Sequence, residues 1–167
     1  MLRKSPPQTK GTCALPQIDA TDRRILAVLQ KDGRISNADL SARIHLSASA
    51  THRRVERLER EGFIRAYVAL LDPRRIARPI TVFVEITLSR QAEELLDSFE
   101  RAVRAIPDVM ECHLMAGTAD YLLKVVAEDA EDFARIHRQH LARLPGVAQM
   151  QSSFALKTVF STTALPV

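Results

Sequence analysis

Between residues 18 and 64 the apolar positions recur at intervals of three and four: Ile25, Leu26 and Leu29, then Leu40 and Ile44, then Val55 and Leu58. That period puts each group on one side of a helix. Asp19 or Thr21 can cap the first helix, and Gly33 supplies its stop. Ser36 is the N-cap of a short second helix that carries Asp39 in its first turn. After a break at His45, Leu46 and Ser47, a third helix is expected to run to about Glu61, with Gly62 as a left-handed stop. The segment "GFIRAYVALLDP" that follows has strand-like residues and fits a wing or a connector, closed by the Asp72-Pro73 turn.

Past residue 79 the period shortens. "ITVFVEITLS" alternates, with Ile80, Val82, Val84, Ile86 and Leu88 on one face of a strand. Ala92, Leu95, Leu96, Phe99 and Val103 return to helical spacing. "VMECHLMAG" and "YLLKVVAE" read as two strands separated by "TAD"; a helix over about 129 to 143 carries Phe133, Ile136 and Leu144, and "VAQMQSSFALKTVF" reads as a last strand. The order βαββαβ predicts an α+β, ferredoxin-like domain, an antiparallel sheet with two helices on one face. Phe83, His113 and their neighbours fall on the other face, and the simplest cover for it is a second copy in a two-fold dimer.

These patterns divide the chain into an arm over 1–17, a helix-turn-helix domain over 18–64, a connecting strand or linker over 65–78 and the ferredoxin-like domain over 79–162. The arm holds three prolines and a glycine with little apolar material, and reads as flexible. Charge sharpens the division. Residues 1–75 hold 15 Lys and Arg against 8 Asp and Glu, whereas 76–167 hold 9 against 12. A basic first half suits a polyanion, and an acidic second half does not. No apolar run reaches the ~20 residues of a membrane span, and the opening lacks the apolar core of a secretory signal, so the expected place of work is the cytoplasm, at the nucleoid, with no membrane partner. Cys13 and Cys112 form no metal or redox spacing and read as reduced thiols.

"SASATHRRVERLER", residues 47–60, is the stretch richest in candidate chemistry. At about 100° per residue, positions 51, 55, 58 and 62 share the side of Val55 and Leu58, while 49, 53, 56, 57 and 60 share the other. Arg53, Arg57 and Arg60 then form a basic stripe. Glu56, Glu59 and Glu61 stand at spacings that would pair with these arginines on a merely solvated helix. Two preceding helices and a tight turn instead favour a helix that enters the major groove of double-stranded DNA. Ser49, His52 and Arg53 are placed to reach base edges and Arg54, Arg57 and Arg60 to meet phosphates; Thr51 completes the DNA-binding set. Glu56 would orient Arg53 or Arg60, or accept from a cytosine amino group.

The loop "AGTADY" has two readings. Gly117 would let backbone N–H groups approach a free amino acid's carboxylate while Asp120 accepts from its ammonium. Alternatively it is a hairpin turn, with Gly117 at positive φ and Asp120 in a local backbone bond.

With "RRVERLEREGFI", "VFVEITL", "ECHLMAGTADYLLKVV" and "RLPGV" in that order, the chain resembles the Lrp/AsnC family of transcription factors over about residues 18–160. The resemblance implies a DNA-binding helix-turn-helix joined to an effector-binding ferredoxin-like domain, dimers that assemble further into octamers, and DNA binding tuned by a small amino acid such as leucine. Arg54, Val55, Leu58, Glu59 and Gly62 fall on the family's recognition-helix pattern, and Gly117, Asp120 and Tyr121 on its effector-loop pattern. Thr118 stands where relatives often carry an acidic residue. Two other functions remain compatible with the residues: an architectural DNA protein without effector, or an amino-acid-sensing module that docks on an enzyme.

Enzyme chemistry finds no support. His137 and His140 lie three apart on a helix, but His140 falls on the apolar face, so a metal site is not expected. Cys112 and His113 point to opposite faces of a strand, and neither a phosphate-binding glycine loop nor a nucleophile motif occurs. No cofactor is expected. Aromatic residues, 5% of the chain, are too sparse for the stacking sheet of an RNA-recognition module.

Overall fold

A computed structural model describes residues 17–167; the expected flexible arm, apart from Gln17, and Cys13 lie outside the described residues. The chain forms two compact units, one made of residues up to Ala69 together with Thr162–Val167, the other of Leu70–Ser161.

In the first unit, α1 (Ala20–Leu29), α2 (Asn37–Ile44) and α3 (Ala48–Arg60) surround Ile25, Leu26, Leu40, Ile44 and Leu58, each less than a tenth exposed. Asp19 caps α1 reciprocally: its side chain accepts from the Asp22 amide, and the Asp22 side chain accepts from the Asp19 amide. The stop expected at Gly33 is not there. α1 ends at Leu29, and Gly33 instead lies where a Cβ would come within 3.1 Å of the Tyr67 ring. The turn between α2 and α3 is closed by His45 in the left-handed region, φ 58°. Among non-glycine residues histidine is one of those more often found there. Gly62, φ +79°, follows α3, and the Ile64 amide reaches back to the Leu58 carbonyl. The strand-like segment 65–72 forms no strand, its backbone being paired with none of the described strands.

The second unit contains β1 (Ile80–Leu88), α4 (Glu93–Arg104), β2 (Val109–Leu114), β3 (Tyr121–Ala127), α5 (Ala130–Gln139), a short 3-10 turn (Leu141–Arg143) and β4 (Val147–Phe154). Its antiparallel sheet runs β2-β3-β1-β4. Val82, Val84, Ile86, Leu123 and Val125 face Phe99, Val103, Phe133 and Ile136 in one core. Full burial of each such side chain contributes about 1.5–3 kcal/mol. α5 is shorter than expected: His140 leaves helical geometry at φ −120°, ψ −63°, and only a 3-10 turn, Leu141–Arg143, follows before Pro145 holds Leu144 extended at ψ 138°. The last strand also stops early, at Phe154. Phe154 stands opposite Val82 and the Ala155 amide bonds the Thr81 carbonyl, beyond which β1 has almost no residues left to pair.

Gly146→Ala is expected to lower stability by about 1 kcal/mol or more, because φ is +75° and the new Cβ would meet Leu95 at 2.6 Å. Gly117→Ala, with no neighbour within 4 Å and no positive φ, should stay within about 0.5 kcal/mol of wild type in denaturant titrations.

Candidate DNA-reading helix and ligand loop

Ser47 starts α3 by accepting from the Ala50 amide, and the Asn37 side-chain amide donates to the Ala48 carbonyl at 2.9 Å, fixing the helix entry. Leu58 and Thr51 face inward and are fully buried. Thr51 therefore leaves the DNA-binding set: it sits over the core, and its hydroxyl donates to the Ser47 carbonyl at 3.0 Å. Ser49, His52, Arg53, Glu56 and Arg60 are exposed. Glu56 pairs with His52 at 3.2 Å rather than with Arg53 or Arg60.

The arginines of α3 divide into two groups. Arg54 donates to Asp19 at 2.7 Å and to Asp22 at 2.8 Å, and Arg57 donates to the other oxygen of Asp22. Each of the two arginine side chains is about one-third exposed, while Asp22 is 1% exposed. The uniform stripe of Arg53, Arg57 and Arg60 is thus split, because a buried carboxylate on α1 needs cationic partners and takes the two arginines within reach. Arg57 Nε is the one buried side-chain nitrogen or oxygen without a partner among the described residues. Arg53 and Arg60 form no ion pair with a described residue.

In the second unit the loop between β2 and β3 spans residues 115–120. Asp120 is 8% exposed, and both its oxygens are engaged: one accepts from the Leu88 amide at 2.7 Å, the other from the Gln91 side chain. Its own amide donates to the Ile86 carbonyl. Asp120 therefore pins the loop to the end of β1. Tyr121 is also inside, its ring 4.4 Å from that of Phe99 and its hydroxyl donating to Glu100 at 2.8 Å; burial raises its pKa, with Glu100 adding to the effect. Gly117 and Thr118 are exposed. Thr118 and Ala119 line a hollow of about 200 Å³ together with Glu85, Thr87, Gln149 and Gln151. The last four had no part in the sequence reading. Their signal was the polar half of the alternation in β1 and β4, which otherwise reads as a solvated face.

Residues 18–65 match the winged helix-turn-helix DNA-binding model and residues 81–165 the Lrp/AsnC ligand binding domain. The chain belongs to the Lrp/AsnC family. It is similar to the leucine-responsive regulatory proteins of Escherichia coli K12 and Salmonella typhimurium, at 43% identity over 89% of this chain and 90% of theirs. A crystal structure of a Neisseria meningitidis transcriptional regulator in complex with L-Met superposes with a TM-score of 0.85 at 38% identity, covering 90% of this chain and 97% of that one. An AsnC family regulator from Agrobacterium tumefaciens gives 0.86 at 36%, over 89% and 97%. This Lrp/AsnC chain is accordingly a transcriptional regulator, with a winged helix-turn-helix DNA-binding domain and an Lrp/AsnC ligand binding domain. Among its described residues no helix is long and apolar enough to cross a membrane.

The Asp22 amide and the Arg54 guanidinium lower the Asp19 pKa from 3.8 to about 2. A carboxyl lowered in the folded state contributes stability that is complete above its unfolded value and is lost as pH falls through the folded one. The melting temperature of the Lrp/AsnC regulator should therefore fall between about pH 4 and 2, and Asp19→Asn should flatten that part of the profile. An unchanged slope in the variant would remove Asp19 from the account.

Proposed function

We propose that the exposed row of α3 makes the sequence-dependent contacts with double-stranded DNA, with Ser49, His52 and Arg53 toward base edges and Arg60 toward phosphate. Arg54 and Arg57 mainly hold α3 to α1 and offer DNA only their outer N–H groups. The observation that carries this division is the grip of nearly buried Asp22 on Arg54 and Arg57 while Arg53 and Arg60 form no ion pair among the described residues.

The ligand proposed for the second unit is a free amino acid, as the leucine-responsive relatives and the L-Met complex suggest. Thr118, with the backbone at Gly117, would face it. Glu85 supplies the acceptor that an ammonium needs, and Gln149 and Gln151 supply donors for a carboxylate. Asp120 and Tyr121 act as positioning residues that hold the loop. The open sheet face, with Phe83, Leu122, Val126 and His113 on it, would pair with a second copy to make a homodimer, and dimers would assemble further to an octamer. Such a regulator works in the cytoplasm, at the chromosome, and needs no cofactor.

Arg53→Ala should relax base preference, and Arg60→Ala should reduce the slope of log affinity against log salt by up to about 0.9, each leaving stability unchanged. Arg57→Ala should cost roughly 1–3 kcal/mol of folding stability, since Asp22 loses a partner, and should change the salt slope less. Equal slopes and equal stabilities for Arg60→Ala and Arg57→Ala would refute the division.

Titration of leucine, methionine and the other amino acids should raise the melting temperature with at least one of them, by a gain of about 2.7 kcal/mol at a hundredfold excess over Kd. Glu85→Gln should weaken that response and leave the ligand-free melting point in place. Sedimentation of the same samples reads the assembly state; a monomer under all conditions would sink the dimer.

A further inference from the structure

The last six residues, Thr162–Val167, cluster with the helix-turn-helix unit although they follow the ligand-binding domain in sequence. Gln30, the C-cap of α1, has its backbone amide committed to the Leu26 carbonyl, leaving its side chain free to turn outward. That side chain meets Leu165 twice: Nε2 donates to the Leu165 carbonyl at 3.1 Å, and Oε1 accepts from the Leu165 amide. One carboxamide thus satisfies both polar groups of a single residue, as a neighbouring β-strand would. Beside this pair, Leu26, Leu29, Phe63, Ile64 and Tyr67 form one side of a groove whose other side is Leu165 and Val167 themselves, with about 200 Å³ left between them.

The partners of Gln30 fix which segment the groove can take. Leu165 is 72% exposed although its N–H and C=O are both engaged, so the hold is on its backbone, whereas Val167 is 44% exposed beside the groove. Pro166 has no amide and biases Leu165 toward the extended conformation in which its N–H and C=O are both available to one partner. Tyr67, which forms one wall, is held by a hydrogen bond from its hydroxyl to Glu59 at 3.0 Å, and its ring lies against Gly33. None of the lining residues belongs to the exposed row of α3.

We infer that the α1–Tyr67 groove is a docking site for an extended Leu-Pro segment, recognised through its backbone by Gln30, and that its occupant is this chain's own Thr162–Val167. One two-point amide contact and one half-buried valine make a weak interface. Covalent attachment compensates, since a tethered segment acts at an effective concentration of about a millimolar. Docking leaves the DNA-reading row unobstructed, since none of the contacts involves it.

Hydrogen exchange of the full-length protein, followed on peptides covering 162–167, tests the assignment. Wild type and Leu165→Ala should both protect the segment, because the backbone contact survives the loss of the side chain. Gln30→Ala should raise exchange roughly five- to tenfold, the share of one or two hydrogen bonds, and Leu165→Pro, which deletes the donor, should abolish protection of what remains. DNA affinity should be the same in wild type and Gln30→Ala. Free-chain exchange in wild type, or protection that ignores Gln30→Ala, overturns the docking. Loss of protection in Leu165→Ala equal to that in Leu165→Pro overturns recognition by the backbone.

Discussion

The carboxylate of Asp22, sealed from water on α1, accepts from Arg54 and Arg57 on α3 and from the amide of Asp19. A buried charge tolerates no vacancy around it, so the two arginines three residues apart must present to the same point. That fixes the rotation of α3 about its axis more tightly than Leu58 and Val55 alone would. A slip of one residue turns the helix by about 100°, enough to carry Arg53 toward the core and pull Arg54 off its partners. The outward aim of Ser49, His52, Arg53 and Arg60 is thus a consequence of a contact none of them makes. Thr51, closing on the Ser47 carbonyl inside the same helix, removes the one polar side chain that would otherwise compete for the core side.

What was legible in the chain follows from range. Apolar period, N-caps and the left-handed stop at Gly62 are settled within a few residues, and Asp19, Ser36, Gly62 and the alternation of β1 all behave as their neighbours dictate. The division of the arginines is settled by Asp22, 32 residues upstream of Arg54, and Asp22 carries an ordinary local signature as the N3 residue of a capping box. Helical spacing placed Arg53 and Arg57 on one stripe; only the fold separates them. Gly33 fails in the same manner, reading locally as a helix stop when the reason for its missing side chain is the ring of Tyr67. β4 was overlong for a related reason, since its end is set by where β1 begins.

The ligand loop shows the limit of reasoning from residue chemistry. An aspartate beside a glycine in a loop offers an acceptor, and the family pattern supports that use, but Asp120 spends both oxygens on Leu88 and Gln91. Its carboxylate holds the loop against the sheet, and Tyr121 anchors the start of β3 through Glu100. Polar residues that do face the hollow come from β1 and β4, far apart in sequence and brought together by the register that sets Glu85 opposite Gln151 and Thr87 opposite Gln149. Pairing across strands, not spacing along one, assembles that surface.

The same register puts the hollow on the open face of the sheet, beside Phe83, and not among the helices. An apolar face alone would seal permanently against a copy of itself. This one mixes Phe83, Leu122 and Val126 with Glu85, Lys124, Gln149 and Gln151, and Lys124 is already tied to Glu111 at 2.8 Å. Polar groups buried by self-association need partners, and those of Glu85, Gln149 and Gln151 are unfilled within the chain's described hydrogen bonds. Under the proposed dimer a bound amino acid would supply them, its ammonium and carboxylate matching an acceptor and donors that face-to-face copies would otherwise leave unmet. Ligand binding and assembly would then be linked through shared desolvation, and by reciprocity whatever the amino acid adds to assembly, assembly adds to its affinity.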